Sequence, residues 1–167
     1  PQNPAGSFNP IRSFSRQFKE MLKSCDKAYN MAEISEAFAV VGLSDADRIM
    51  KSMPFEMSGG MNQRIAIAAA ILLSPELIIC DEATSALDVT TAAIVMEELL
   101  QLRAERNTTL LMVTHNLGLA KHMADKVVIM YKGQIVEAGE TLDIIYNPKH
   151  EYTKRMLDSA LRITNLE

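Results

Sequence analysis

Three short stretches of this sequence carry side chains suited to phosphate chemistry. Residues 57–64 read MSGGMNQR and run straight into the apolar stretch IAIAAAILL. A helix starting there leaves its first amide N–H groups without partners and carries a partial positive charge, so it suits an anion. Ser58 is a fitting cap, and Gly59 and Gly60 set no side chain between the backbone and a bulky ligand. The plain alternative is an N-cap that serves only its own helix.

The second stretch is Asp81–Glu82, which leaves the apolar run LIIC. In open parallel sheets ligands bind beyond the carboxyl ends of the strands, and at the bend after a strand both carboxylates can face one crevice. One suits a hydrated magnesium ion and the other suits orienting an attacking water. Such a pair can equally be a solvated loop. The third stretch, Thr114–His115, leaves the run LLMV. A histidine there can donate a hydrogen bond to a phosphate oxygen, or can be a surface residue that caps the next helix. An anion-ready helix start, a carboxylate pair and a histidine on separate elements together point to phosphoryl chemistry.

The elements that must position these residues follow from periodicity. Residues 1–10, rich in proline and asparagine, read as a loop. From Ile11 to about Ser24, Ile11, Phe14, Phe18, Met21 and Leu22 share one helical face. A second helix from Met31 to Val41 ends at Gly42, and a third from Asp45 to Met53 is stopped by Pro54. These helices predict a small, nearly all-helical unit. Beyond the SGG helix the pattern alternates. LIIC at 77–80, LLMV at 110–113 and VVIM at 127–130 suit strands buried on both faces, separated by helices over about 89–106 and 117–124. That order predicts an α/β fold with a parallel sheet and right-handed crossovers. The stretch YKGQIVEAG then turns at Lys132 and Gly133, predicting an edge hairpin, and helices over about 140–146 and 151–162 follow.

At 167 residues, 48% of them hydrophobic and 23% charged, the chain has the size and composition of one globular domain. A formal net charge of −4 supplies no general attraction to nucleic acid or anionic lipid, so any phosphate must be held locally. No apolar run approaches the length of a membrane span, and PQNPAGSFNP has neither the basic nor the apolar region of a signal peptide. The expectation is a cytosolic protein with two free thiols, Cys25 and Cys80. The first residue is not Met and the opening reads as the middle of a loop, which suggests a fragment.

In this order and spacing the motifs resemble the ATP-binding cassette ATPases that drive membrane transporters. MSGGMNQR resembles the family's signature motif, LIICDE its Walker B strand, SALD at 85–88 its D-loop, and Thr114–His115 its switch histidine. Gln2, in PQNP, sits where the family's Q-loop glutamine lies, and the helices from 11 to 53 match its helical subdomain. Met61, ALDVT and the tail NPKHEYTKRML resemble the branch importing peptides or nickel. Ala83, Met57 and Asn116 depart from the usual proline, leucine and aspartate without removing a functional group. The larger departure is that none of the seven glycines is followed by Lys and then Ser or Thr, so the sequence contains no P-loop.

The resemblance implies the later part of a P-loop NTPase-like ATPase domain, with Q-loop and helical subdomain over 1–56 and signature helix, Walker B, D-loop and switch histidine over 57–167. It implies ATP and Mg2+ as ligands. Glu82 would polarise the attacking water and His115 would contact the γ-phosphate. Asp81 would hold the metal, Gln2 would sense metal and water, and Asp88 would link two half-sites. Ser58, Gly59 and Gly60 would reach across a head-to-tail dimer to a γ-phosphate held by the partner's P-loop. The implied partners are a second ATPase subunit, identical or not, and transmembrane permease subunits, with the protein peripheral on the inner face of the membrane and no nucleic acid bound. The methionines at 50, 53, 57 and 61 serve either the permease surface or the core. Two rivals are a cassette serving DNA repair, chromosome organisation or translation, and a non-catalytic module that only dimerises or docks.

Overall fold

The computed structural model describes residues 4–82, 87, 89–106 and 108–164. The chain divides into two compact units, Pro1–Val113 and Thr114–Glu167. The first holds α1 (Phe14–Ser24), α2 (Met31–Val40), α3 (Ala46–Lys51), α4 (Gly59–Leu72), β1 (Leu77–Asp81), α5 (Val89–Arg106) and β2 (Thr109–Val113). The second holds α6 (Leu117–Met123), β3 (Lys126–Tyr131), β4 (Gln134–Glu140), α7 (Thr141–Tyr146) and α8 (Glu151–Thr164).

In the first unit the helical cluster closes on phenylalanines. Phe14, Phe18 and Phe38 are fully buried with Leu22 and Ile34, and Phe18 meets Phe38 edge-on at 5.8 Å between ring centres. Edge-to-face pairs of this kind favour a fixed packing beyond the area they bury. Ile11, expected on the same face, is instead 74% exposed. The reason is polar. Gln17 accepts from the Asn9 amide at 2.7 Å and donates to the Arg12 carbonyl at 2.7 Å, so residues 9–12 form a separate turn and α1 starts only at Phe14. Against α2 packs α4, whose Ile65, Ala68, Ala69 and Ile71 are buried.

The two strands of this unit pair in parallel, Leu77 opposite Thr109 through Asp81 opposite Val113. Thr108 anchors their start by donating to the Pro75 carbonyl at 3.1 Å. Ile78 and Cys80 point into the core, joined by Val95, Met96 and Leu99 of α5 among the buried residues. The other face is open. Ile79, Leu111 and Val113 are each more than half exposed, so the expectation of strands buried on both faces is corrected. An unbroken apolar run reads the same whether one or both faces are covered.

In the second unit β3 and β4 form an antiparallel hairpin with a bulge between Ile129 and Met130. Its turn residues Lys132 and Gly133 have φ of 49° and 78°, the left-handed pair that tight hairpins need. The third apolar run was expected to extend the parallel sheet. Among the described residues it pairs only with β4. Polar anchors fix the helices that follow. Thr141 donates to the Ala124 carbonyl at 2.6 Å, and the Glu137 carboxylate accepts from the amides of Lys149 at 2.8 Å and His150 at 3.1 Å. Burial pushes the Glu137 carboxyl up, but those two amides and the His150 charge help to hold it below the ordinary glutamate range. Tyr131 of β3 stacks on Tyr152 of α8 at 4.3 Å.

The two faces of β1 make opposite predictions. Ile78→Ala is expected to cost about 2–5 kcal/mol in urea denaturation, and Ile79→Ala no more than about 0.5 kcal/mol. Equal losses would show that both faces are covered.

Candidate functional site

The first element of the site is the start of α4. Ser58 is extended, with φ −64° and ψ 160°, and its Oγ accepts from the Met61 amide at 3.2 Å. A serine hydroxyl that accepts in this way keeps its own hydrogen for another acceptor. The first amides of the helix have no intrahelical partner by construction. Ser58 and Gly59 are exposed and Gly60 is half-buried. A Cβ on Gly59 would meet nothing within 4 Å, and its φ is not left-handed. Its own chain therefore gives no steric reason for glycine here.

The second element is the turn after β1. Asp81 ends the strand on its exposed face. Glu82 is half-buried with φ +47°, and its amide donates to the Val113 carbonyl at 3.0 Å, carrying the parallel pairing one residue further. A non-glycine residue in that region costs on the order of 1–3 kcal/mol and persists where its surroundings hold it. Part of the hold comes from α4. The buried Gln63 reaches the Glu82 carbonyl with its Nε2 at 3.5 Å, a long contact that ties the helix behind Ser58 to the turn. Gln63 escaped the sequence reading because a glutamine on a helix ordinarily faces water.

His115 lies in the second unit, exposed, between two residues that shape the loop. The Thr114 hydroxyl accepts from the Asn116 amide at 3.0 Å, and Asn116 caps α6 by accepting from the Leu119 amide at 3.1 Å. The helix cap is therefore Asn116 and not the histidine. Gly118 makes room for it, since a Cβ there would lie 3.3 Å from the Asn116 Oδ1.

Gln2 and Asp88 lie outside the described residues, as does all of SALD except Leu87. Among the described residues no group of three or more His, Cys, Asp or Glu side chains is placed to hold a metal, and no helix is long and apolar enough to cross a membrane. Met50 is buried, while Met53, Met57 and Met61 are half-buried. Both thiols are free. Cys25 is exposed, and burial pushes the Cys80 thiol up, away from the reactive thiolate.

The geometry is matched by likeness to known proteins. Residues 5–85 match the ABC transporter family. The chain is 38% identical over 161 residues to the oligopeptide transport ATP-binding protein OppD of Lactococcus lactis, covering 95% of this chain and 48% of that one. It is 40% identical over 169 residues to AmiE of Streptococcus pneumoniae, covering 98% and 47%, and 41% identical over 161 residues to AppD of Bacillus subtilis, covering 95% and 49%; both are oligopeptide transport ATP-binding proteins. The chain thus spans about half the length of the curated relatives it matches. Among solved structures it resembles a dimeric ATP-binding cassette in a post-hydrolysis state bound to ADP and Pi, with TM-score 0.72 and 23% identity over 84% of this chain and 60% of that one. It also resembles a bacterial Atm1-family ABC exporter with ATP bound, with TM-score 0.75 and 22% identity over 96% of this chain and 28% of that one.

The fold is therefore that of the ATP-binding cassettes, an α/β parallel pair with flanking helices beside a helical cluster. The family match over residues 5–85 and the relatives' identity along nearly all of the chain's length make it similar to the ATP-binding proteins of the ABC transporter family.

The cap beside His115 is testable by itself. Asn116→Ala is expected to lower stability by about 1 kcal/mol, and Asn116→Asp to change it by less than about half of that, in chemical denaturation followed by circular dichroism. No loss in the alanine variant would remove Asn116 from the capping role.

Proposed function

We propose that this chain is the signature-bearing part of an ATPase subunit of an oligopeptide importer, and that it acts on ATP held by a partner subunit. The observation that carries this reading is the open start of α4, where Ser58 retains a hydroxyl hydrogen and Gly59 leaves space that its own chain does not use. The names of the curated relatives support the transport class.

In this reading Ser58 and the amides at Gly59 and Gly60 meet the terminal phosphate bound by the partner's P-loop. Removing one preorganised donor of that kind costs about 3–4 kcal/mol of transition-state stabilisation. Glu82 orients the attacking water, and its fixed backbone limits how far the carboxylate can wander. His115 contacts the γ-phosphate, Gln2 senses metal and water, and Asp88 links the two half-sites. A single exposed carboxylate, Asp81, fits Mg2+, which is ordinarily held by one or two carboxylates together with substrate phosphates. Bound there, the ion would neutralise charge on the phosphates. Residues 1–56 form the Q-loop and helical subdomain, and 57–167 the remaining part of the cassette. The subunit sits against the permease on the cytoplasmic side of the membrane.

The second reading, a module that docks without hydrolysing, is favoured by one fact: this sequence has no Gly-Lys-Ser or Gly-Lys-Thr. Both readings expect the chain alone to bind Mg-ATP weakly, and micromolar binding by calorimetry would contradict them. They part in the intact, dimeric cassette. There Glu82→Gln is expected to lower ATP turnover by roughly 10² to 10⁴ while leaving ATP binding in place. Turnover near wild type would remove Glu82 as the base.

A further inference from the structure

The inner face of α4 carries a residue that hydrophobic patterning alone would make leucine. Asn62 shares its helical stripe with Ile65 and Ala69 and is 3% exposed. Burying an amide is unfavourable unless it is hydrogen-bonded, so a buried asparagine in a core stripe calls for a use. Its Nδ2 donates to the Pro54 carbonyl at 3.0 Å and to the Met57 carbonyl at 3.3 Å. Its Oδ1 is buried and has no partner among the described residues. Turning the amide over would set that oxygen against two carbonyl oxygens, so the two acceptors fix its orientation.

The contact is placed where it controls the site. Pro54–Glu56 form a single 3-10 turn, closed at its own start by the Glu56 carboxylate accepting from the Met53 amide at 2.6 Å, and by the Met57 amide donating to the Pro54 carbonyl at 3.2 Å. Asn62 ties this turn to the second turn of α4, gripping the carbonyl that immediately precedes Ser58. With the Pro54 and Met57 carbonyls bonded inward by Asn62, the Ser58 hydroxyl caps the Met61 amide, and Ser58 and Gly59 stay exposed at the start of α4.

We infer that Asn62 is a positioning residue for the phosphate-facing start of α4, acting through the Met57 carbonyl and touching no ligand itself. This rests on the reading of Ser58 given above. The test measures steady-state ATP hydrolysis by the intact, dimeric cassette and its Asn62→Asp, Asn62→Leu and Ser58→Ala variants. Asparagine to aspartate keeps the shape and removes the donor; leucine removes the polarity and suits the apolar stripe, so it guards against loss of folding. Both Asn62 variants are expected to lower kcat at least tenfold with KM for ATP within twofold, and Asn62→Leu to do so without a lower melting temperature. If Ser58→Ala lowers kcat and both folded Asn62 variants keep it, the positioning role is wrong. A fall in melting temperature with kcat unchanged likewise overturns it, since Asn62 then serves stability alone. If Ser58→Ala leaves kcat intact, the phosphate reading of the helix start fails instead.

Discussion

The structure of the first unit depends on one constraint: α4 must bury its apolar side from Ile65 to Ile71 while keeping its first turn at the surface. A helix wholly inside would strand its unpaired amides in an apolar medium, and one wholly outside would lose the core. Here the two demands are separated along the axis. Ser58 and Gly59 stand in solvent, and the buried stripe begins at Asn62, four residues on from Ser58. The polar residues at that boundary are the ones that organise the neighbourhood. Asn62 looks back to the turn before the helix, and Gln63 looks sideways to the strained turn at Glu82. One helix thus sets both the outward donors and the backbone of the carboxylate proposed as base.

The open face of β1 and β2 is the other physical feature of that unit. Parallel strands are ordinarily covered on both sides, and Ile79, Leu111 and Val113 are not. The second unit builds its own two-stranded sheet differently, with an antiparallel hairpin tied to the following helices by Glu137, Thr141 and the Tyr131–Tyr152 stack. Its polar anchors take the place that a second layer of apolar contacts would have in a larger domain.

Much of this was legible in the residues. Short apolar runs marked β1, β2 and β3, and the span of α5 matches the expected 89–106. The hairpin turn at Lys132 and Gly133 was readable because few dipeptides tolerate two positive φ values. What was not legible depended on partners distant in sequence. Whether a strand is covered on one face or two leaves no mark in an apolar run, and the pairing of β3 is decided by the nearby turn, not by the order of runs. Ile11 fits a helical face by spacing, but the Gln17 side chain closes the preceding turn against it. At the site, the cap at Ser58 and the strand-end placement of Asp81 and Glu82 came from general rules of helix starts and strand ends. Asn62 and Gln63 did not, although a polar residue in register with Ile65 and Ala69 was the signal available for the first. The capping weighed as the alternative role for His115 falls to Asn116, one residue further on.

The central claim is that the exposed start of α4 meets a phosphate held by another subunit. Hydrogen–deuterium exchange over residues 58–61 of this chain, mixed with an intact cassette arrested before hydrolysis, tests it directly. The account predicts that these amides slow when ATP is present and exchange freely with the cassette alone. Unchanged exchange at 58–61 in a demonstrated ATP-bound complex would contradict it.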